Sequence, residues 1–130
     1  VGHFYYRQLA VAGCVLASMS FGAARAQTDS AAVMDAYRST YTATIRCFVA
    51  NGVAMDDYKD AQQPAQAAAY ERKAAQSFDL AYQAGRKIGL SDSRIESDLD
   101  GARRTELPSM MRDKTYFAKA VAECRAVGLM

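Results

Sequence analysis

From residue 30 onward, apolar side chains recur every three or four positions, and the strict alternation of a half-buried strand is absent. Val33, Tyr37, Tyr41, Ile45 and Phe48 line one face of a first helix predicted over 30–50, which Asp29 or Ser30 can cap. Asn51-Gly52 is expected to end it, because glycine takes the left-handed conformation without steric cost. "VAMDDYKDAQQ" then reads as a connection with at most one helical turn. Pro64 suits the first turn of a second helix over 64–88, where its missing N–H costs nothing. The stripe of that helix is Ala67, Tyr70, Ala74, Phe78, Ala81, Gly85 and Ile88, and its small members invite close approach of another helix. Gly89-Leu90 closes it.

The third helix, 91–107, has Ser93 and Glu96 as a capping box and a thin apolar face of Ile95, Leu99, Ala102 and Leu107. Pro108 is expected to break or kink it. A fourth helix over 113–127 turns Phe117, Ala120, Val121, Cys124 and Val127 inward, and Gly128-Leu129 repeats the ending of the second helix. The predicted fold is all-α: a small four-helix bundle of two long helices, a short connector helix and a C-terminal helix.

The first 26 residues have a different pattern. Arg7 is followed by an uncharged run from Gln8 to Ala24, and small residues stand at Ala24 and Ala26. This is the pattern of a secretory signal peptide, with cleavage expected between Ala26 and Gln27 and a single domain at 27–130. The run is shorter than the roughly 20 apolar residues of a membrane span. A competing reading is "VAGC", ending at Cys14, which resembles a lipobox and would make the protein lipid-anchored through that cysteine. Only Leu9 and Ala10 precede it after polar Gln8, and the stretch after it is apolar rather than a polar spacer, so cleavage is the preferred expectation.

Cleavage changes the charge. The chain has 16 Lys and Arg against 14 Asp and Glu, and Arg7 and Arg25 belong to the leader. The remainder is neutral, so the basic pI is no argument for a nucleic-acid partner. The only histidine, His3, also lies in the leader, and there is no tryptophan. Ser–His and Cys–His catalysis and His-ligated zinc or haem are thereby disfavoured. No C-x-x-C and no Gly-rich phosphate loop occurs, and no cofactor or metal site is expected.

Export leaves Cys47 and Cys124. Two cysteines in an oxidising compartment are expected to pair. Cys47 stands near the end of the first predicted helix, which spans roughly 30 Å, and bridged Cα atoms lie within about 7 Å. The last helix must therefore run roughly parallel to the first or cross it near that pole. Closing a loop of 77 residues contributes about 4.5 kcal/mol on the chain-entropy account.

Other candidate chemistry is sparse. Asp56, Asp57 and Asp60 lack the spacing of a calcium loop and read as solvated. Arg103, Arg104, Arg112 and Lys114 form a candidate patch for an anionic partner, diluted by Glu106 and Asp113. Tyr37, Tyr41, Tyr58, Tyr70, Tyr82 and Tyr116 could line a groove for a ligand or peptide, although core packing is the simpler account. Met110 and Met111 are adjacent, point in different directions on a helix, and read as hydrophobic filling.

The expected function is a small exported helical protein, periplasmic or secreted, that acts by binding a protein or envelope component and is not an enzyme. The alternatives are a carboxylate-based envelope hydrolase or lyase, using Asp56, Asp57 or Glu96, and the lipid-anchored protein.

Overall fold

A computed structural model of the chain describes the backbone from Ala17 and the side chains from Ser30 to Met130. Most of the apolar run read as an export signal, with Cys14, lies outside the described residues, as do the side chains at the expected Ala26–Gln27 cleavage point. The chain divides after Val33, and Met34–Met130 is the packed unit. Among the described residues the elements are α1 (Ala17–Asp60), α2 (Pro64–Lys87), α3 (Asp92–Arg112) and α4 (Lys114–Ala126). The domain is all-α, four helices packed around a core that contains the Cys47–Cys124 disulfide.

Asn51-Gly52 does not end the first helix, which continues to Asp60. The Asn51 amide is wholly buried, and its Nδ2 donates to the carbonyls of Cys47, one turn back, and Leu129, both at 2.8 Å. It is therefore engaged inside the core instead of closing the helix. The stop comes ten residues later. Gln62 takes a φ of 56°, its N–H donates to the Lys59 carbonyl, and that of Gln63 donates to the Tyr58 carbonyl. This is the hydrogen-bond pattern of a glycine-terminated helix with glutamine in the left-handed position. The expected connection shrinks to Ala61–Gln63, and α2 folds back along α1. Tyr41 approaches Gly85, Phe48 packs on Phe78 and Tyr58 on Tyr70, the antiparallel register of a helical hairpin.

Gly89 and Gly128 do act as the left-handed stops expected of them, at φ of 85° and 74°. In each case the next N–H reaches back, Leu90 to the Gly85 carbonyl and Leu129 to that of Cys124. The cap of α3 is Ser91 rather than Ser93: its Oγ accepts from the Arg94 N–H, while Ser93 bonds laterally to the Ser91 hydroxyl. The helix expected to be a short connector is 21 residues long, because it passes through Pro108 to Arg112 instead of breaking there. Asp113 then caps α4, its Oδ1 accepting from the N–H groups of Thr115 and Tyr116.

The buried faces also depart from the predicted stripes. Val33 and Val127 are exposed, at 52% and 56%, and Phe78 lies on the rim while Ser77 is buried in α2. On α1 the buried line runs through Tyr41, Thr44, Cys47, Ala50 and Ala54, one register off the aromatic line. Apart from Tyr41, the large rings described on α1 and α2 are only partly buried, because small residues occupy the helix–helix contacts, where backbones come close. The buried side chains form two clusters. One gathers Tyr41, Ala81, Ala84, Ile95 and Leu99; the other gathers Cys47, Val53, Met110, Ala120, Cys124 and Leu129; Phe48 packs against both.

The bridged Cα atoms are 5.6 Å apart. With α1 extended, Cys47 stands 13 residues short of its end, roughly 20 Å along the axis, not near its pole. The contacts Arg46–Glu123, Cys47–Cys124 and Asn51–Leu129 advance together, so the two segments run in the same sense through the bridge, although the end-of-helix placement from which that direction was expected does not hold.

Candidate functional site

Two open grooves, of about 450 and 460 Å³, share a ridge formed by Tyr58, Tyr70 and Met130. Each ridge residue is placed by a separate feature of the sequence. Tyr58 is on the last turn of α1 and exists as a helical side chain only because α1 runs past Gly52. Tyr70 is on the second turn of α2, and the three-residue connection sets it opposite Tyr58. The rings stack with centroids 5.4 Å apart and planes 10° from parallel. Met130 is brought there by the segment after α4. Asn51 holds the Leu129 carbonyl, and Lys73 Nζ reaches the Gly128 carbonyl at 3.4 Å.

The groove between α1 and α4 is walled by Ala54, Phe117, Val121 and Ala122, with Asp57 and Arg125 at its edge. The other groove runs along α2 and is lined by Gln66, Arg72, Lys73 and Gln76. An apolar trough with a few convergent polar groups is the usual make-up of a small-ligand or peptide site.

Two polar clusters lie elsewhere. Arg46 of α1 bonds Glu123 of α4, approaches Glu106 of α3 at 3.8 Å, and lies over the Tyr116 ring at 5.2 Å. Tyr116 donates to Glu106 at 2.7 Å, and that bond, with partial burial, raises its hydroxyl pKa. Tyr41 donates to Asp98 at 2.9 Å, and Asp98 also accepts from Arg94. Burial first, then the Asp98 bond, push the Tyr41 hydroxyl well above its ordinary value. Both clusters tie helices together, and neither opens onto a groove described above.

Among the predicted residues, the structure brings Cys47 and Cys124 together. Asp56, Asp57 and Asp60 are exposed on the last turns of α1, and only Asp57 reaches a groove. Glu96 is exposed beside Ile95, which packs against Gly85 near Tyr41, some 15 residues or roughly 22 Å up α1 from Asp56. The carboxylates proposed for hydrolysis are therefore not assembled. Among the described residues, no group of three His, Cys, Asp or Glu is placed to hold a metal ion. Arg103, Arg104, Arg112 and Lys114 are all exposed. Helical register sets Arg103 about half a turn round α3 from Arg112, whose Nε donates to the Pro108 carbonyl. Met110 is buried and Met111 is 70% exposed. No helix of the described residues is long and apolar enough to cross a membrane.

Tyr58 and Tyr70 are among the six tyrosines the sequence offers for a groove; what its pattern missed is their pairing across α1 and α2 and the place of Met130 beside them. The signal was present: Tyr41, Phe48, Met55 and Tyr58 continue a helical spacing through Asn51-Gly52. Comparison with protein families, with curated proteins and with solved structures finds no match to the chain.

Proposed function

We propose that this is a small exported helical protein that acts by binding a protein or envelope component, without catalysis, and that the grooves flanking Tyr58 and Tyr70 are where it does so. The observation that carries the reading is the stacked tyrosine pair held at the surface between two troughs. Ring faces left half-buried beside apolar walls are surfaces on which a partner gains contact area at little entropic cost. Export is supported by the leader pattern and by the disulfide, a bond that persists in oxidising compartments.

The test is a photo-crosslinker. The chain carrying p-benzoylphenylalanine in place of Tyr70 is expected to give one dominant adduct, protein or lipid, in the envelope fraction of the source cell. The same group in place of Glu96, roughly 22 Å away on the other end of the bundle, is expected to give none. Equal labelling from both positions, or none from Tyr70, refutes the groove as the binding site. Retention of the protein in the cytoplasm refutes the export.

A further inference from the structure

The two grooves differ in chemistry across the ridge they share. On the α1–α4 side the walls are Phe117, Val121 and small alanines, and the charges of Asp57 and Arg125 at the edge cancel. On the α2 side Arg72 and Lys73 stand beside Gln66 and Gln76, with no Asp or Glu side chain among the lining residues. Both grooves are mainly apolar, and the unbalanced cationic side chains lie only on the α2 side of the Tyr58–Tyr70 pair.

The walls are helical, and the backbone groups of a helix interior are paired within the helix. A peptide lying extended across them would bury its amides without partners, at a cost for each one. An alkyl chain carries no amide. Each groove is of ordinary small-ligand size.

The geometry points to a free single-chain amphipathic anion of the fatty-acid type as the ligand, with its tail against Phe117 and Val121, its chain crossing the tyrosine pair, and its carboxylate over Arg72 and Lys73. This assignment rests on the groove being the binding site, and it selects an envelope-derived small molecule over an extended peptide. Arg72 is exposed and has no ion pair among the described residues, so its guanidinium is available to a carboxylate in the bidentate geometry that arginine favours.

The test compares probes that share one tail, titrated calorimetrically below their micelle concentrations into the intact protein. Dodecanoate is expected to bind saturably at one per chain, and dodecyltrimethylammonium at least about tenfold more weakly. Arg72→Glu is expected to weaken dodecanoate about tenfold and to improve the cation. Lys73→Glu is made separately, because Lys73 also reaches the Gly128 carbonyl. Val121→Trp is expected to abolish binding by filling the trough, with circular dichroism checking that the fold survives. Equal affinity for the two head groups overturns the assignment. So does indifference to Arg72→Glu, or binding to phosphatidylglycerol-containing vesicles without binding to free dodecanoate. A protein adduct from the Tyr70 crosslinker with no dodecanoate binding overturns the ligand class and leaves the groove standing. Failure of both experiments removes the groove as well.

Discussion

Around Tyr41, three helices interlock through small residues; around Cys47, a short helix is fastened by a covalent bond and an amide clamp. The first region is formed by α1, α2 and α3. Gly85 has no side chain because a Cβ there would lie 2.6 Å from Ile95 Cδ1 and 3.0 Å from the Tyr41 ring. The helices α2 and α3 are 24 and 21 residues long and adjacent in sequence, so their contact costs little loop entropy. The second region joins α1 to α4, a helix of 13 residues whose partner lies 77 positions away. A helix of that length is marginal by itself, and its contact closes a long loop. The disulfide and Asn51 sit where packing alone has least to work with. The same fastening delivers Met130 to the groove, so the segment held by the bridge and by Asn51 also completes the candidate site.

The comparison is broken most forcefully by removing the bridge. Cys47→Ala with Cys124→Ala is expected to cost roughly 2–5 kcal/mol in urea unfolding. Hydrogen exchange should show amides of α4 losing protection ahead of those at the α2–α3 contact. Uniform loss across the domain would show that the two regions do not differ in this way.

Gly85→Ala attacks the packed region, with an expected cost of about 1–3 kcal/mol from overpacking. Ile95→Val removes the Cδ1 atom nearest the new methyl group, so the double variant should recover part of the loss. Simple addition of the two penalties would mean that the closeness of α2 and α3 is not what Gly85 provides.

Asn51→Ala is expected to cost about 1–2 kcal/mol, since it strands the Leu129 carbonyl without a donor. It should also lower occupancy of the groove, because Met130 follows Leu129 directly. A variant that loses stability with ligand binding intact would separate the clamp from the site.

The smallest effect is expected at Tyr41. Removing its hydroxyl with Tyr41→Phe should cost about 1 kcal/mol at neutral pH, because Asp98 keeps its bond to Arg94. The folded protein holds the Tyr41 proton more tightly than the unfolded chain, whose tyrosines titrate near 10. The stability from this group is thus fully present below pH 10 and is lost as pH rises above 10 through the folded value. Thermal melts of the Phe variant should decline less steeply above pH 10 than those of the wild type. Parallel curves would exclude Tyr41 as the source of the slope, leaving Tyr116, whose hydroxyl is also raised.

Much of the fold was legible in local patterns. Helical spacing, Pro64 at a helix start, and glycines 89 and 128 followed by leucine are signals carried within one turn, and the structure follows them. Three cysteines, one of them inside the export pattern, left two to pair, Cys47 with Cys124. The signals that misled were local ones overruled from a distance. Asn51-Gly52 has the residues of a helix stop, but the Asn51 Nδ2 is held by a carbonyl 78 positions away. Gln62 ends α1 in a conformation usually given to glycine, so its type did not announce it. The candidate site fell in the stretch that these two readings displaced: Tyr58 counted as a loop residue until α1 was known to reach Asp60.

By itself, the sequence determined that this domain is all-α, where three of its four helices begin to within a few residues, and which thiols meet. Each of those follows from hydrogen bonds and side-chain periodicity within a turn, or from a count of two. Tertiary structure decided the length of α1, the passage of α3 through Pro108, and the meeting of Tyr58, Tyr70 and Met130. Those depend on groups far apart in the chain whose contact energies exist only once the helices have packed. A buried amide that finds its partner on another segment outweighs the weak preference of its neighbours to turn.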